Sequence, residues 1–432
     1  MKIPDSKLQI PDSGFQISNS GFQIPDFKPK TENRRPKTDL TLSLLFLLAA
    51  LCLPLAASAQ IAVRGETVWT MAGEPITNGV VLVNNGKIEA VGPSAQVRVP
   101  SNYRVISAKV VTPGLIDAHT VIGLNGYLNQ PHDQMALDAS NPMQPELRAI
   151  DSYNAEERLI EYVRGFGVTT LHTGHQPSAL VSGQTMIAKT FGKTVEEAAL
   201  VPTAMIAVTL GEAALASQGR SPGTRAKQAA MLRAELIRAG NYKGEPRDLK
   251  QEIWKRVLNR EISLLVTAHR AQDIMTALRI AKEFNIKIVL DGAAEAAMVI
   301  NEIKAAGVPV IVHPTMFRAG GETESLSMET AAKLRQAGIP IALQSGYESY
   351  VPKTRIVLFE AALAAANGLS RADALAAVTI DAARILGLDA RLGSISVGKD
   401  ADLAMYDGDP FEYTTHCTGT IINGRIASEA VR

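Results

Sequence analysis

From Thr112 to about Leu388 the chain repeats one pattern: a short apolar, β-branched run, then a longer stretch rich in Ala, Leu, Glu and Lys. Strands that alternate with helices pair in parallel, because each helix carries the chain back to the same end of the sheet. Gly167-Val168-Thr169-Thr170-Leu171 follows a helical stretch over 155–165. Lys287-Ile288-Val289-Leu290 follows one over 271–284, and Val308-Pro309-Val310-Ile311-Val312 follows one over 294–306. Ile339-Pro340-Ile341-Ala342-Leu343 follows a helix over 327–337, and helical stretches over 360–367 and 371–386 close the series. The pattern and its length predict an α/β fold, a (β/α)8 TIM-like barrel over 112–388. The segment 217–261 is longer and more polar, and reads as a helical insert that caps or wraps the barrel.

The first strand of that series is the most informative. Val110-Val111 is β-branched, Pro113-Gly114 punctuates, and Leu115-Ile116 resumes the apolar run before Asp117 and His119. In a parallel barrel the carboxyl ends of the strands carry the chemistry, and these two polar residues stand at such an end.

The flanks have a different texture. Residues 61–109 read as short strands joined by turns, with Asn84-Asn85-Gly86 as a tight hairpin signal. Gly398-Lys399-Asp400-Ala401-Asp402-Leu403 and a last hairpin around Asn423-Gly424 repeat that texture at the other end. Neither end holds enough strands alone, so 60–111 and 389–432 are expected to fold together as one small β-sandwich. Asp400 and Asp402 read as turn and strand-end residues.

Near the amino end, Ile3-Pro4-Asp5-Ser6 recurs every seven residues as far as Ile24-Pro25-Asp26. Pro11, Gly14, Gly21 and Pro25 break any coiled coil there. The stretch is either a disordered leader or lies upstream of the true start. A secretion signal follows: Arg34, Arg35 and Lys37 flank the apolar run from Leu42 to Leu53, which is short for a bilayer span. Ala57-Ser58-Ala59 is an A-x-A cleavage site, so 1–59 reads as leader plus signal, with a periplasmic or secreted product and no stable membrane anchor. Cys52 precedes the site without a good lipobox, which leaves Cys417 in the mature chain. With only two cysteines there is neither a disulfide framework nor a Cys-rich zinc site. Lys+Arg 44 against Asp+Glu 43 gives no electrostatic footprint for nucleic acid.

Of seven histidines, several fall at expected strand ends. His172 and His175 follow Leu171, His269 follows Leu264-Leu265-Val266-Thr267-Ala268, and His313 follows Val312. Neutral imidazoles on adjacent strand ends can make a metal site. They can equally be rim groups bonded to loops. His132 and His416 read as loop residues. Gly320-Gly321-Glu322-Thr323-Glu324 reads as a loop at the same face, as a lid or a solvated turn.

The run Pro113-Gly114-Leu115-Ile116-Asp117-Ala118-His119 resembles the first barrel strand of the amidohydrolase superfamily, P-G-L-I-D-x-H-x-H, and Gly393-Ser394-Ile395 through Leu403 resembles its G-S-x-x-x-G-x-x-A-D-L segment. The likeness, to the imidazolonepropionase-like branch in particular, covers nearly all of 61–432. It implies a barrel fused to a sandwich, hydrolysis of C–N bonds, and one or two divalent metals, usually zinc. It also implies a ligand set from which this chain departs. His119 matches the first His, but Val121 replaces the second. Thr267 takes the fifth-strand His position, with His269 two residues on and on the same strand face. Asp291 takes the sixth-strand His position. The eighth-strand T-D-S becomes Gln344-Ser345-Gly346, without its Asp. Lys189 lies near a strand edge, a weak candidate for the bridging ligand.

Two readings follow. One is an exported amidohydrolase acting on an amide bond in a small molecule, a peptide or a cyclic amide. It would use a reduced or relocated metal site drawn from His119, His172, His175, His269, Asp291 and His313. Arg355 and Tyr347, with Glu348 and Tyr350, would line its substrate mouth. The other is a catalytically silent barrel that binds a ligand or an active partner subunit. Family members often form oligomers, so a homo-oligomer, or a hetero-oligomer with an active paralogue, is expected.

Overall fold

The two ends of the chain meet in one sheet. The computed structural model describes residues 60–217, 219–312, 319–347 and 356–432. The expected leader, signal and cleavage site, with Cys52, lie outside the described residues, as do His313, Glu348, Tyr350 and Arg355. All described residues belong to the compact unit Ser58–Arg432. β1 (Ile61–Val68) pairs antiparallel with β2 (Ile76–Asn84), which turns through Asn85 and Gly86 into β3 (Lys87–Pro93). Both turn residues have positive φ, at 49° and 78°, which is why Asn-Gly occupies them. β4 (Arg104–Pro113) lies parallel to β1 on its other side and leads directly into the large α/β region.

Along that region come β5 (Leu115–Thr120), β6 (Val168–Thr173), β7 (Val181–Gln184), β8 (Met186–Lys189), β9 (Ala199–Val201) and β10 (Met205–Thr209). β11 (Ser263–Ala268), β12 (Ile288–Gly292), β13 (Val310–Val312) and β14 (Ile341–Leu343) follow. The chain then returns to the first sheet as β15 (Leu403–Tyr406), β16 (Cys417–Ile422) and β17 (Arg425–Ser428). The terminal strands form one continuous seven-stranded sheet, β17-β16-β15-β4-β1-β2-β3. So the two ends do fold together, but the described strands join edge to edge where two stacked sheets were expected. Alternation loads both faces: Val63, Val81, Val111 and Leu403 pack on one, Ala62, Val80, Leu82 and Tyr103 on the other.

The remaining strands form a six-stranded sheet, β14-β13-β12-β11-β10-β7, and a four-stranded one, β5-β6-β8-β9. β10 to β14 are parallel throughout, and β5 is parallel to β6. β7 and β8 run antiparallel to their neighbours, a departure from the all-parallel expectation. They are too close in sequence for a helical crossover. The two sheets are hydrogen-bonded to each other at both margins. Thr120 bridges to Gly346 beyond β14, and Thr185, between β7 and β8, bonds Met205 O and Ala204 N at the start of β10.

The helices between parallel strands follow the sequence pattern closely. Ala271–Phe284 forms as expected, with Asn285 left-handed at its carboxyl end. The expected helix over 371–386 divides into Arg371–Ala377 and Ile380–Ile385. Thr379 breaks it by donating to Leu375 O from a non-helical backbone. The polar segment 217–261 contains two helices, Arg225–Asn241 and Leu249–Leu258, that serve as the crossover from β10 to β11. They bury Leu232, Leu236, Ile253, Trp254 and Val257.

Candidate functional site

Period-two alternation stacks side chains between the sheets in layers. Leu265, Val289, Ile311 and Ala342 share one buried apolar cluster with Ile116 and Ala118. Two residues further along three of those strands stand Thr267, Asp291 and Gln344, and there the interior turns polar. Asp291 is fully buried and is the centre of this layer. Its Oδ1 faces His119 Nδ1 at 3.0 Å and accepts from Gln344 Nε2 at 2.8 Å. Its Oδ2 accepts from the Thr267 hydroxyl at 2.6 Å. A carboxylate beside His119 Nδ1 makes that nitrogen the donor, so the proton is assigned there. His119 comes from β5, whose pairing with β6 slips between Asp117 and Thr120.

His119 is fully buried, and its Nε2 has no hydrogen-bond partner among the described residues. Its ring lies 5.9 Å from that of His172 and 5.5 Å from that of Tyr347. The Tyr347 hydroxyl lies 3.4 Å from His269 Nε2, so Tyr347 spans the two imidazoles. His269 occupies the space over Gly292. His172 has both nitrogens engaged: Nδ1–H donates to Ala118 O at 2.7 Å, and Nε2 accepts from the Thr185 hydroxyl at 2.7 Å. Burial, aided by the neighbouring His119, pulls its pKa down to about 3, so it is neutral. His175 is buried against Gly183 of β7, and burial lowers its pKa to about 4.

Asp117 accepts from Ser345 N at 3.0 Å, while the Ser345 hydroxyl donates to Thr120 Oγ1 at 3.2 Å. Burial pushes the Asp117 carboxyl up to about 7, against the opposing pull of Ser345 and His119. Val121, in the second His position, is packed in the main apolar core.

Lys189 lies at the other end of the strands. It is 1% exposed and ion-pairs with Asp402, and with Asp400 at 3.7 Å. Asp400 is also bound by Lys87 and Arg391. The two carboxylates expected as turn residues therefore anchor the terminal sheet to β8. Glu322 and Glu324, in the Gly-rich loop, pair with Arg225 and Arg270 respectively. His132 is exposed, and His416 pairs with Asp407 at 3.1 Å.

So the described structure brings together His119 and Asp291, with His172, Tyr347 and His269 around them. Sequence reasoning missed Gln344, having placed Ser345 in the eighth-strand role. The alternation from Ala342 would have found it.

A profile described as "Amidohydrolase family" matches residues 354–427. An imidazolonepropionase from Paracoccus denitrificans (strain Pd 1222) is 26% identical over 371 residues, spanning 77% of this chain and 88% of that protein. A solved structure, an amidohydrolase from Thermotoga maritima MSB8, superposes with a TM-score of 0.81 at 31% identity. The match covers 86% of this chain and 100% of that one. This chain belongs to the amidohydrolase superfamily, in its imidazolonepropionase-like branch. The A. niger ochratoxinase structure shares the fold at 16% identity and a TM-score of 0.52, over 86% of this chain and 96% of that one.

Amidohydrolases are hydrolases acting on C–N bonds, and they generally depend on a divalent metal. The described residues of this amidohydrolase do not fit such a centre. No three His, Cys, Asp or Glu side chains among them are placed to hold an ion. Asp291 already accepts hydrogen bonds on both oxygens, and His172 is engaged at both nitrogens. His119 Nε2 is a single donor atom.

Proposed function

We propose that this amidohydrolase is an exported enzyme that hydrolyses an amide C–N bond in a small molecule, a peptide or a cyclic amide. Its site lies at the carboxyl ends of β5, β11 and β12, in a barrel closed where the two sheets bond at their margins. The observation that carries the reading is the state of His119. One ring nitrogen is fixed by a buried carboxylate, and the other is buried with no partner among the described residues. Leaving such a nitrogen unsatisfied costs about 1–3 kcal/mol, so the fold tolerates it where a substrate or water is to be met.

In this reading His119 Nε2 takes a proton from water as its oxygen bonds to the amide carbon. Asp291 stabilises the imidazolium, as a buried carboxylate does for a catalytic His. His119 then returns the proton to the leaving nitrogen as the C–N bond breaks, giving a carboxylic acid and an amine. Tyr347, against both His119 and His269, would shape the mouth. Arg355 is the proposed contact for a charged substrate end. The basic flank, apolar run and A-x-A site over 34–59 support export, and assembly into oligomers is proposed on the family's habit.

The second reading is a silent relative that serves an active subunit. Val121 in the apolar core and Ser345 in the catalytic Asp position favour it. Assay of purified protein against acyl-amino acids, dipeptides and cyclic amides separates the two. Turnover that falls about 10²–10⁴-fold in His119→Ala, with the fold intact by circular dichroism, is expected. No turnover on any of the three classes would sink the hydrolase reading and leave the second.

A further inference from the structure

Three strand ends that would supply metal ligands in a metal-dependent relative here supply something else. His119 at the end of β5, Thr267 near the end of β11 and Gln344 just after β14 all converge on one atom group, the Asp291 carboxylate of β12. Each offers it a hydrogen: an imidazole N–H, a hydroxyl and an amide N–H. A cation site needs the opposite, lone pairs turned inward. Among the described residues the inward lone pairs are those of Asp291, which already take three hydrogen bonds, and the single one on His119 Nε2, too few to hold an ion.

We infer that this carboxylate hub stands in the place of the ion, so that the amidohydrolase folds and holds its strand ends together with no resident divalent metal. The charge at the centre is inverted, from a cation ringed by acceptors to an anion ringed by donors. A buried carboxylate is costly unless paired and hydrogen-bonded, and these three donors meet that need. Entry of a cation at Asp291 would have to displace them. Thr267 would then be buried without its acceptor, Gln344 would keep only its 3.4 Å contact to Ile311 O, and His119 Nδ1–H would lose its carboxylate.

The surroundings agree. His172, whose ring is the neighbour of His119 at 5.9 Å, cannot swing in as a ligand without losing both Ala118 O and Thr185. Val121 contributes only apolar bulk. The hub rests on the amidohydrolase reading only for where the ion would sit. Metal occupancy and stability decide it, whatever the protein hydrolyses.

The test is metal content per chain after purification without chelators, dialysis against excess zinc or manganese, and desalting. It is paired with melting in zinc and in EDTA. Far below one atom per chain and the same melting temperature in both are expected. Close to one atom per chain, lost in His119→Ala but kept in the exposed-loop variant His132→Ala, would overturn the inference. A second arm tests the hub without needing His119. Asp291→Ala is expected to melt several degrees below the wild type, with partial recovery in Asp291→Asn, which keeps one acceptor oxygen. Unchanged melting in both Asp291 variants would overturn the hub. Should Asp291→Ala fail to fold, the asparagine variant carries the comparison.

Discussion

Replacing Asp117 with asparagine gives the sharpest check on how this interior is solvated. Asp117 is 2% exposed in the middle of β5, and burial raises its carboxyl from 3.8 to about 7. Folded-state protonation above the unfolded value means that folded chains bind this proton where unfolded chains have released it. Its contribution to stability is therefore complete below pH 3.8 and is lost as pH rises to about 7. At about 1.4 kcal/mol per pH unit, the loss across that window is about 4 kcal/mol. The asparagine side chain cannot titrate, yet its carbonyl can still accept the Ser345 N–H. The stability difference between Asp117→Asn and wild type should therefore rise by about 4 kcal/mol from pH 4 to pH 7, then level off. Taking the difference cancels the other titrating groups that the two proteins share. Urea unfolding at half-unit pH steps measures it. A difference that stays flat, or that falls with pH, would refute the claim that Asp117 sits desolvated and protonated.

His172 gives the opposite slope. Its folded-state pKa is depressed from 6.5 to about 3, so its contribution is present above 6.5 and lost as pH falls through that window. His172→Gln should accordingly lose less stability than wild type between pH 7 and pH 5, by about 2 kcal/mol, in the same unfolding experiment. Lys189→Met leaves Asp402 buried without its cation and should cost about 3–5 kcal/mol in chemical denaturation. Adding Asp402→Asn should recover much of that, and a double variant no better than the single would argue against the ion pair.

The fold was legible because its signals are local. Short apolar runs and Ala-, Leu-, Glu- and Lys-rich stretches mark β5, β6, β12 and Ala271–Phe284 from their own residues, and Asn85-Gly86 marks the β2–β3 hairpin. The Thr379 break was not visible in the pattern, since it depends on which backbone carbonyl that hydroxyl meets. Nor was the antiparallel pairing of β7 with β10 and of β8 with β6, which depends on partners outside either segment.

The candidate site divides along the same line. From the chain alone came His119 and Asp117 at a strand end, the loss of the second His at Val121, and the membership implied by Pro113 to His119. What surrounds them was decided by tertiary structure. His119 and Asp291 are 172 residues apart, and Lys189 and Asp402 are 213 apart. Nothing in the spacing of such pairs records that they touch. Contact depends on the register of each strand against its neighbour and on which layer each side chain enters. A shift of one residue in any strand would turn its side chain to the other face. Gln344 shows the point: neighbouring Ser345 stands in the position of the family motif's Asp, but Gln344 faces Asp291, because it shares the face of Ala342.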